Sequence, residues 1–188
     1  ILGGIFAAAA LALIAELAFN PATRASSARA ERRGGLISEY RIVLKSPWAR
    51  FITVSVFFEA ALLYAVLSFI GADLHLRFGL SFTMVGLVIG GFAIGGLLYT
   101  FCVRILVDRL GQTGLVTVGG ALVSIGFLIL SFQPVWWFAP AATVMIGLGF
   151  YMVHNTFQTN ATQMAPQARA TALAIFSSAL YMGITAGV

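Results

Sequence analysis

Glu59 is the residue from which chemistry is most readily argued. It stands near the middle of a long apolar stretch, residues 48–70, whose only other charge is Arg50 near its start. A charged side chain at the centre of a membrane helix costs roughly 2.5 to 3.5 kcal/mol on insertion scales, so it points into a bundle or a water-filled cavity instead of lipid. Ser55 lies one turn earlier on the same face. A carboxyl placed this way is a candidate proton carrier, or a counter-charge for a cationic substrate. Its plainer alternative is a hydrogen-bonded structural glutamate. A second set of polar residues, Tyr151, His154, Asn155 and Gln158, follows the spacing i, i+3, i+4, i+7 and shares one helical face at the end of another apolar run. Such a stripe can line a pathway or form an inner gate, and it can equally be a helix end emerging into lipid headgroups. Imidazoles exchange protons near neutral pH, which makes His154 a secondary relay candidate. Glu16 lies close enough to the end of its own apolar run to reach the interface, where a structural role suffices.

A third group is the charged segment Arg104-Ile-Leu-Val-Asp108-Arg109-Leu-Gly111-Gln-Thr-Gly114, set between two apolar runs. Each run approaches or exceeds the length of helix that crosses about 30 Å of hydrocarbon, so the turn belongs where two membrane helices meet water. Asp108 and Arg109 are hydrated there, and Gly111 and Gly114 let the chain reverse in few residues.

The elements that must carry these residues are helical. The chain has 188 residues, of which 60% are hydrophobic and only 9% charged, and this composition is that of a membrane protein. Six apolar spans can be marked, at residues 1–19, 48–70, 80–103, 115–132, 135–154 and 171–188. Strand-like alternation is absent, so the expected fold is an all-α membrane bundle and not a β-barrel. The first span opens without an initiator Met or a cleavable leader, and the chain reads as a piece of a longer protein.

Seven of the eleven Lys and Arg lie between Arg24 and Arg50, so the net charge of +5 is a topology signal and not a nucleic-acid surface. With residues 20–47 on the cytoplasmic side, ten of the eleven fall inside and only Arg77 outside, as the positive-inside rule requires. Within that connection, Leu36, Ile37, Tyr40, Val43 and Leu44 fall on one face and predict a short amphipathic helix on the inner surface. The third span carries Gly86, Gly90, Gly91 and Gly95, whose small-xxx-small spacing predicts close helix packing.

Enzyme chemistry has little support. There is no G-x-S-x-G, H-E-x-x-H or C-x-x-C, the single Cys102 cannot build a thiolate cluster, and Gly147 and Gly149 follow no strand that would make them a dinucleotide motif. No cofactor or metal is expected.

Leu106-Val-Asp108-Arg109-Leu-Gly111 resembles the signature G-x-L-a-D-R-x-G-R-K of the major facilitator superfamily, in the copy carried between the eighth and ninth helices. It departs at Arg104, where the motif has Gly, and at Gln112 and Thr113, where it has basic residues. Residues 74–81, 95–99 and 147–166, followed by Arg169, are similar to bacterial members of the drug and metabolite efflux type.

That resemblance implies that the spans are helices six to eleven of twelve, with residues 20–47 the central cytoplasmic loop and residues 48–188 most of the C-terminal half. It further implies a proton-coupled antiporter of the inner membrane that exports a small molecule by alternating access. The N-terminal half and the bilayer would be its structural partners, and Asp108, Arg109 and Gly111 a conformational motif at the inner gate. The alternatives are a uniporter or importer, in which Glu59 binds substrate, or a non-transporting membrane scaffold.

Overall fold

The computed structural model describes residues 35–188, so the expected span at residues 1–19, Glu16 and the start of the basic connection lie outside the described residues. The chain divides into two units, residues 1–42 and residues 43–188. Five helices follow in order: α1 (Gly35–Lys45), α2 (Pro47–Phe78), α3 (Phe82–Phe132), α4 (Phe138–Gln163) and α5 (Arg169–Gly187). No strand occurs among the described residues, and the chain is an all-α membrane protein.

The boundaries have local causes. Ser46 is extended and its hydroxyl accepts from the Ala49 N–H at 3.4 Å, while Pro47 occupies the first turn of α2, where its missing N–H costs nothing. At the other end Gly79 takes φ +67°, and its N–H bonds to the His75 carbonyl at 3.0 Å, closing α2. The His75 ring then ties the next loop down: Nδ1 donates to the Leu80 carbonyl at 2.7 Å, and the ring stacks on Phe82 at 4.4 Å. Ser81 starts α3 by accepting from the Met84 N–H.

The long α3 is two helices broken at Gly111, where φ is +62° and ψ −177°. Its neighbours prove a reversal. Gly91, Gly95 and Gly96 approach Thr143, Val144 and Tyr151 in ascending order, so the first half runs parallel to α4. Gly119 and then Gly126 approach Met152 and then Ile146, so the second half runs antiparallel. The first half stays helical up to the glycine, past the apolar run that ends at Val103. Gly114, expected to share the turn, is helical and packs over Leu110, so Gly111 alone carries the break.

By length and composition three described helices can cross a membrane: Pro47–Phe78, Phe82–Phe132, which holds the reversal, and Arg169–Gly187. The span expected at residues 135–154 is not among them. Its helix, α4, carries Tyr151, His154, Asn155, Thr156, Gln158, Thr159 and Asn160 towards its end, and buries residues against its neighbours from Ala139 to Ala161. The outward faces of the others are apolar, with Phe58, Phe69, Leu87, Leu97 and Phe101 more than half exposed. That is the pattern of side chains solvated by lipid.

Lipid tails are as apolar as the core, so close backbone approach takes over from hydrophobic burial as the packing force. At Gly95 a Cβ would collide with the Val144 carbonyl, and at Gly147 with the Phe92 carbonyl. Between α2 and α5 the same device recurs, Gly183 against the Phe57 carbonyl and Gly187 against that of Ala61. Gly86 and Gly90 do not share this contact: a side chain at either meets nothing within 4 Å among the described residues, because they lie about a third of a turn away from the Gly91 and Gly95 face that meets α4. Of α1, Val43 is fully buried, packed with Ala49, Ala168 and Ala172.

Candidate functional site

Glu59 sits about 18 Å along α2 from Pro47, well inside the span. Here α2 faces α4, and the Glu59 Oε2 and His154 Nδ1 atoms are 3.1 Å apart, with only 11% and 13% of the two side chains exposed. One hydrogen bond joins them in either distribution of a shared proton: an imidazolium N–H donates to a carboxylate, or a carboxyl O–H donates to a neutral imidazole. With one proton shared between them, the pair as a whole is neutral in either arrangement, which lowers the cost of placing both in the membrane.

Aromatic rings hold the imidazole in position. Phe150, one turn earlier on α4, stacks on it at 5.1 Å and 15°, and Phe176 of α5 lies against it at 5.6 Å. Phe176 is itself fully enclosed, packed with Ile52, Val56 and Ala161, so the pair is anchored to α2, α4 and α5 together.

The second carboxylate oxygen is the informative atom. Glu59 Oε1 is buried and has no hydrogen-bond partner among the described residues. Glu59 also borders a cavity of about 310 Å³, walled by Leu62 and Leu63 of α2, Val123, Ser124 and Phe127 of α3, and Phe150 and Val153 of α4. A lone acceptor with apolar and aromatic walls suits a proton or a cationic group carried on an apolar body.

The other expected residues separate. Ser55 is half-buried one turn away and does not bond to the carboxyl. Of the polar stripe only His154 reaches Glu59: Tyr151 packs under Gly96, the Asn155 amide donates to the Tyr151 carbonyl at 3.0 Å, and Gln158 is exposed. The four share a face in projection, but α4 is surrounded by three other helices, so successive members meet different neighbours. Asp108 and Arg109 are exposed at the end of the first half of α3 and form no ion pair among the described residues.

Two polar features escaped the sequence reading. Past the Gly111 break, Gln112 Oε1 accepts from Asn160 Nδ2 at 3.2 Å, and Asn160 also donates to the Thr156 carbonyl at 2.8 Å, which ties the turn to α4. The signal was the neutral residue standing where the resembling motif is basic. The other is Gln133, fully buried at the end of α3, which carries no local pattern that would single it out.

Compared with known protein families, residues 1–188 match the sequence model described as the Major Facilitator Superfamily. No curated protein and no solved structure gave a significant match.

Proposed function

The chain belongs to the major facilitator superfamily, which makes it a membrane-embedded secondary transporter of small molecules and not a member of an enzyme family, and we propose that it is a proton-coupled exporter in which Glu59 and His154 form the coupling pair. The observation that carries this reading is the buried Glu59 carboxyl, one oxygen on His154 and the other unpartnered beside a cavity of about 310 Å³. In alternating access, two halves of a transporter rock about a site near the midplane, and ion binding biases the balance between inward-open and outward-open states. A proton arriving at Glu59 competes with a cationic substrate for the same oxygen, so uptake of one favours release of the other.

The cavity favours transport over a scaffold, in which Glu59 would pack against a partner with no space beside it. Residues 20–47 are then cytoplasmic, the charged turn at Asp108 and Arg109 belongs to the inner gate, and the membrane is the inner one. By the same reading the apolar spans correspond to helices six to eleven of twelve. Gly111 gives that gate a sharp, geometrically defined corner, and Gln112 with Asn160 latches it to α4.

The test is efflux driven by a pH gradient in vesicles of the full-length protein, wild type against Glu59→Gln at matched reconstitution. Loss of gradient-driven transport with substrate binding or downhill exchange retained supports the coupling role. Equal transport by both proteins refutes it. Loss of downhill exchange together with gradient-driven transport would instead make Glu59 a substrate ligand, as in a uniporter or importer.

A further inference from the structure

Gln133 follows the last residue of α3, and its side chain is only 2% exposed. Neither its Nε2 nor its Oε1 has a hydrogen-bond partner among the described residues. Buried amides are almost always bonded, so a fully enclosed one with both ends unmade calls for a ligand. Gln133 borders a second cavity, of about 360 Å³, with Phe69 and Phe127 among its apolar walls and Asp73, Arg77 and Ser131 as its other polar residues. Asp73 and Arg77 are one turn apart on α2 and exposed, and no ion pair joins them among the described residues. The Arg77 guanidinium lies instead over the Phe78 ring, 5.1 Å from its centre. Opposite charges left side by side without pairing offer a phosphate and an ammonium one partner each.

The depth of the site narrows the ligand. Arg77 is in the last turn of α2, and the stacked rings of Trp136 and Trp137, 3.9 Å apart, follow just beyond Gln133, as aromatic residues do at the level of lipid headgroups. From Arg77 back to Ala65 the furrow follows α2 for about 18 Å. One leaflet of a hydrocarbon core about 30 Å thick is about 15 Å deep, so the furrow matches one leaflet and a headgroup and not the full span of a crossing helix.

We propose that this furrow binds a zwitterionic phospholipid, its phosphate on Arg77, its ammonium on Asp73, an ester carbonyl accepting from Gln133 Nε2, and an acyl chain along Phe69 and Phe127. An anionic headgroup would satisfy Arg77 but set a second negative charge against Asp73. The inference rests on membrane embedding alone and is independent of the coupling role of Glu59.

The experiment uses the full-length protein carrying Trp48→Phe, which leaves Trp136 and Trp137 as the described reporters beside the furrow. Their fluorescence is followed in bilayer nanodiscs containing phosphatidylcholine brominated on its acyl chains, with unlabelled phosphatidylcholine or phosphatidylglycerol added as competitor. The expected result is quenching that phosphatidylcholine relieves about tenfold more effectively than phosphatidylglycerol, the size of one charge-assisted hydrogen bond. Asp73→Asn, at an exposed position where folding is not at stake, reduces that preference severalfold, whereas Gln133→Leu weakens relief by both lipids and leaves their ratio unchanged, because both carry the ester carbonyl. Equal relief by the two lipids, or a preference that Asp73→Asn leaves unchanged, overturns the proposal. So does the absence of quenching, the result expected if a further membrane helix covers the furrow.

Discussion

Removing His154 while leaving Glu59 in place is the sharpest perturbation the site allows. In His154→Leu the carboxyl keeps its position on α2, only 11% exposed, and loses its one partner among the described residues. Stripping one member from a buried pair typically costs about 3–5 kcal/mol, because the remaining group is enclosed without compensation. Replacing both partners with apolar groups of similar shape is close to neutral, since no desolvated group is left behind. Glu59→Leu with His154→Leu should therefore recover most of the loss, and a double-mutant cycle should give a coupling energy of at least about 3 kcal/mol. The assay is thermal or denaturant unfolding of the purified protein in one fixed detergent. Glu59→Gln is the control that keeps a polar group opposite the imidazole, and it should cost about 1 kcal/mol. If the two Leu substitutions add, with the double variant as unstable as the sum of the singles, the side chains do not interact and the paired-site argument fails.

Two further outcomes test the packing and the turn. Gly95→Ala places a methyl against the Val144 carbonyl and the Leu148 N–H, backbone atoms that cannot swing aside, and should cost about 1–3 kcal/mol. Gly90→Ala meets nothing among the described residues and should leave stability unchanged or raise it by up to about 1 kcal/mol through helix propensity; matching effects in unfolding would refute the assigned faces. Gly111→Ala also has open space around it, yet φ +62° with ψ −177° is a region essentially reserved for glycine, so the variant should lose about 1–3 kcal/mol by backbone strain alone. An unchanged melting temperature, with no added protease sensitivity at the turn, would count against the reversal at that residue.

Hydropathy, charge and turn chemistry were enough to read a helical membrane protein, to place a reversal between Arg104 and Gly114 and to mark Glu59 as a charge inside an apolar span, because each depends on one residue or one short window of chain. The cost of a charge in hydrocarbon and the freedom of glycine at positive φ do not depend on which helix lies alongside. The resemblance carried by Leu106, Asp108, Arg109 and Gly111 pointed to the same family that the whole-chain match established. What only the tertiary structure decided is which faces meet. Periodicity grouped His154 with Tyr151, Asn155 and Gln158, but the rotation of α4 among its neighbours sends His154 to Glu59, ninety-five positions away, and the others elsewhere. It likewise separates Gly91 and Gly95 at a helix contact from Gly86 and Gly90, which meet nothing among the described residues, and encloses Gln133 with no side-chain hydrogen bond among those residues. Contacts between helices depend on pairwise, long-range packing, and a window of sequence holds only one member of each pair.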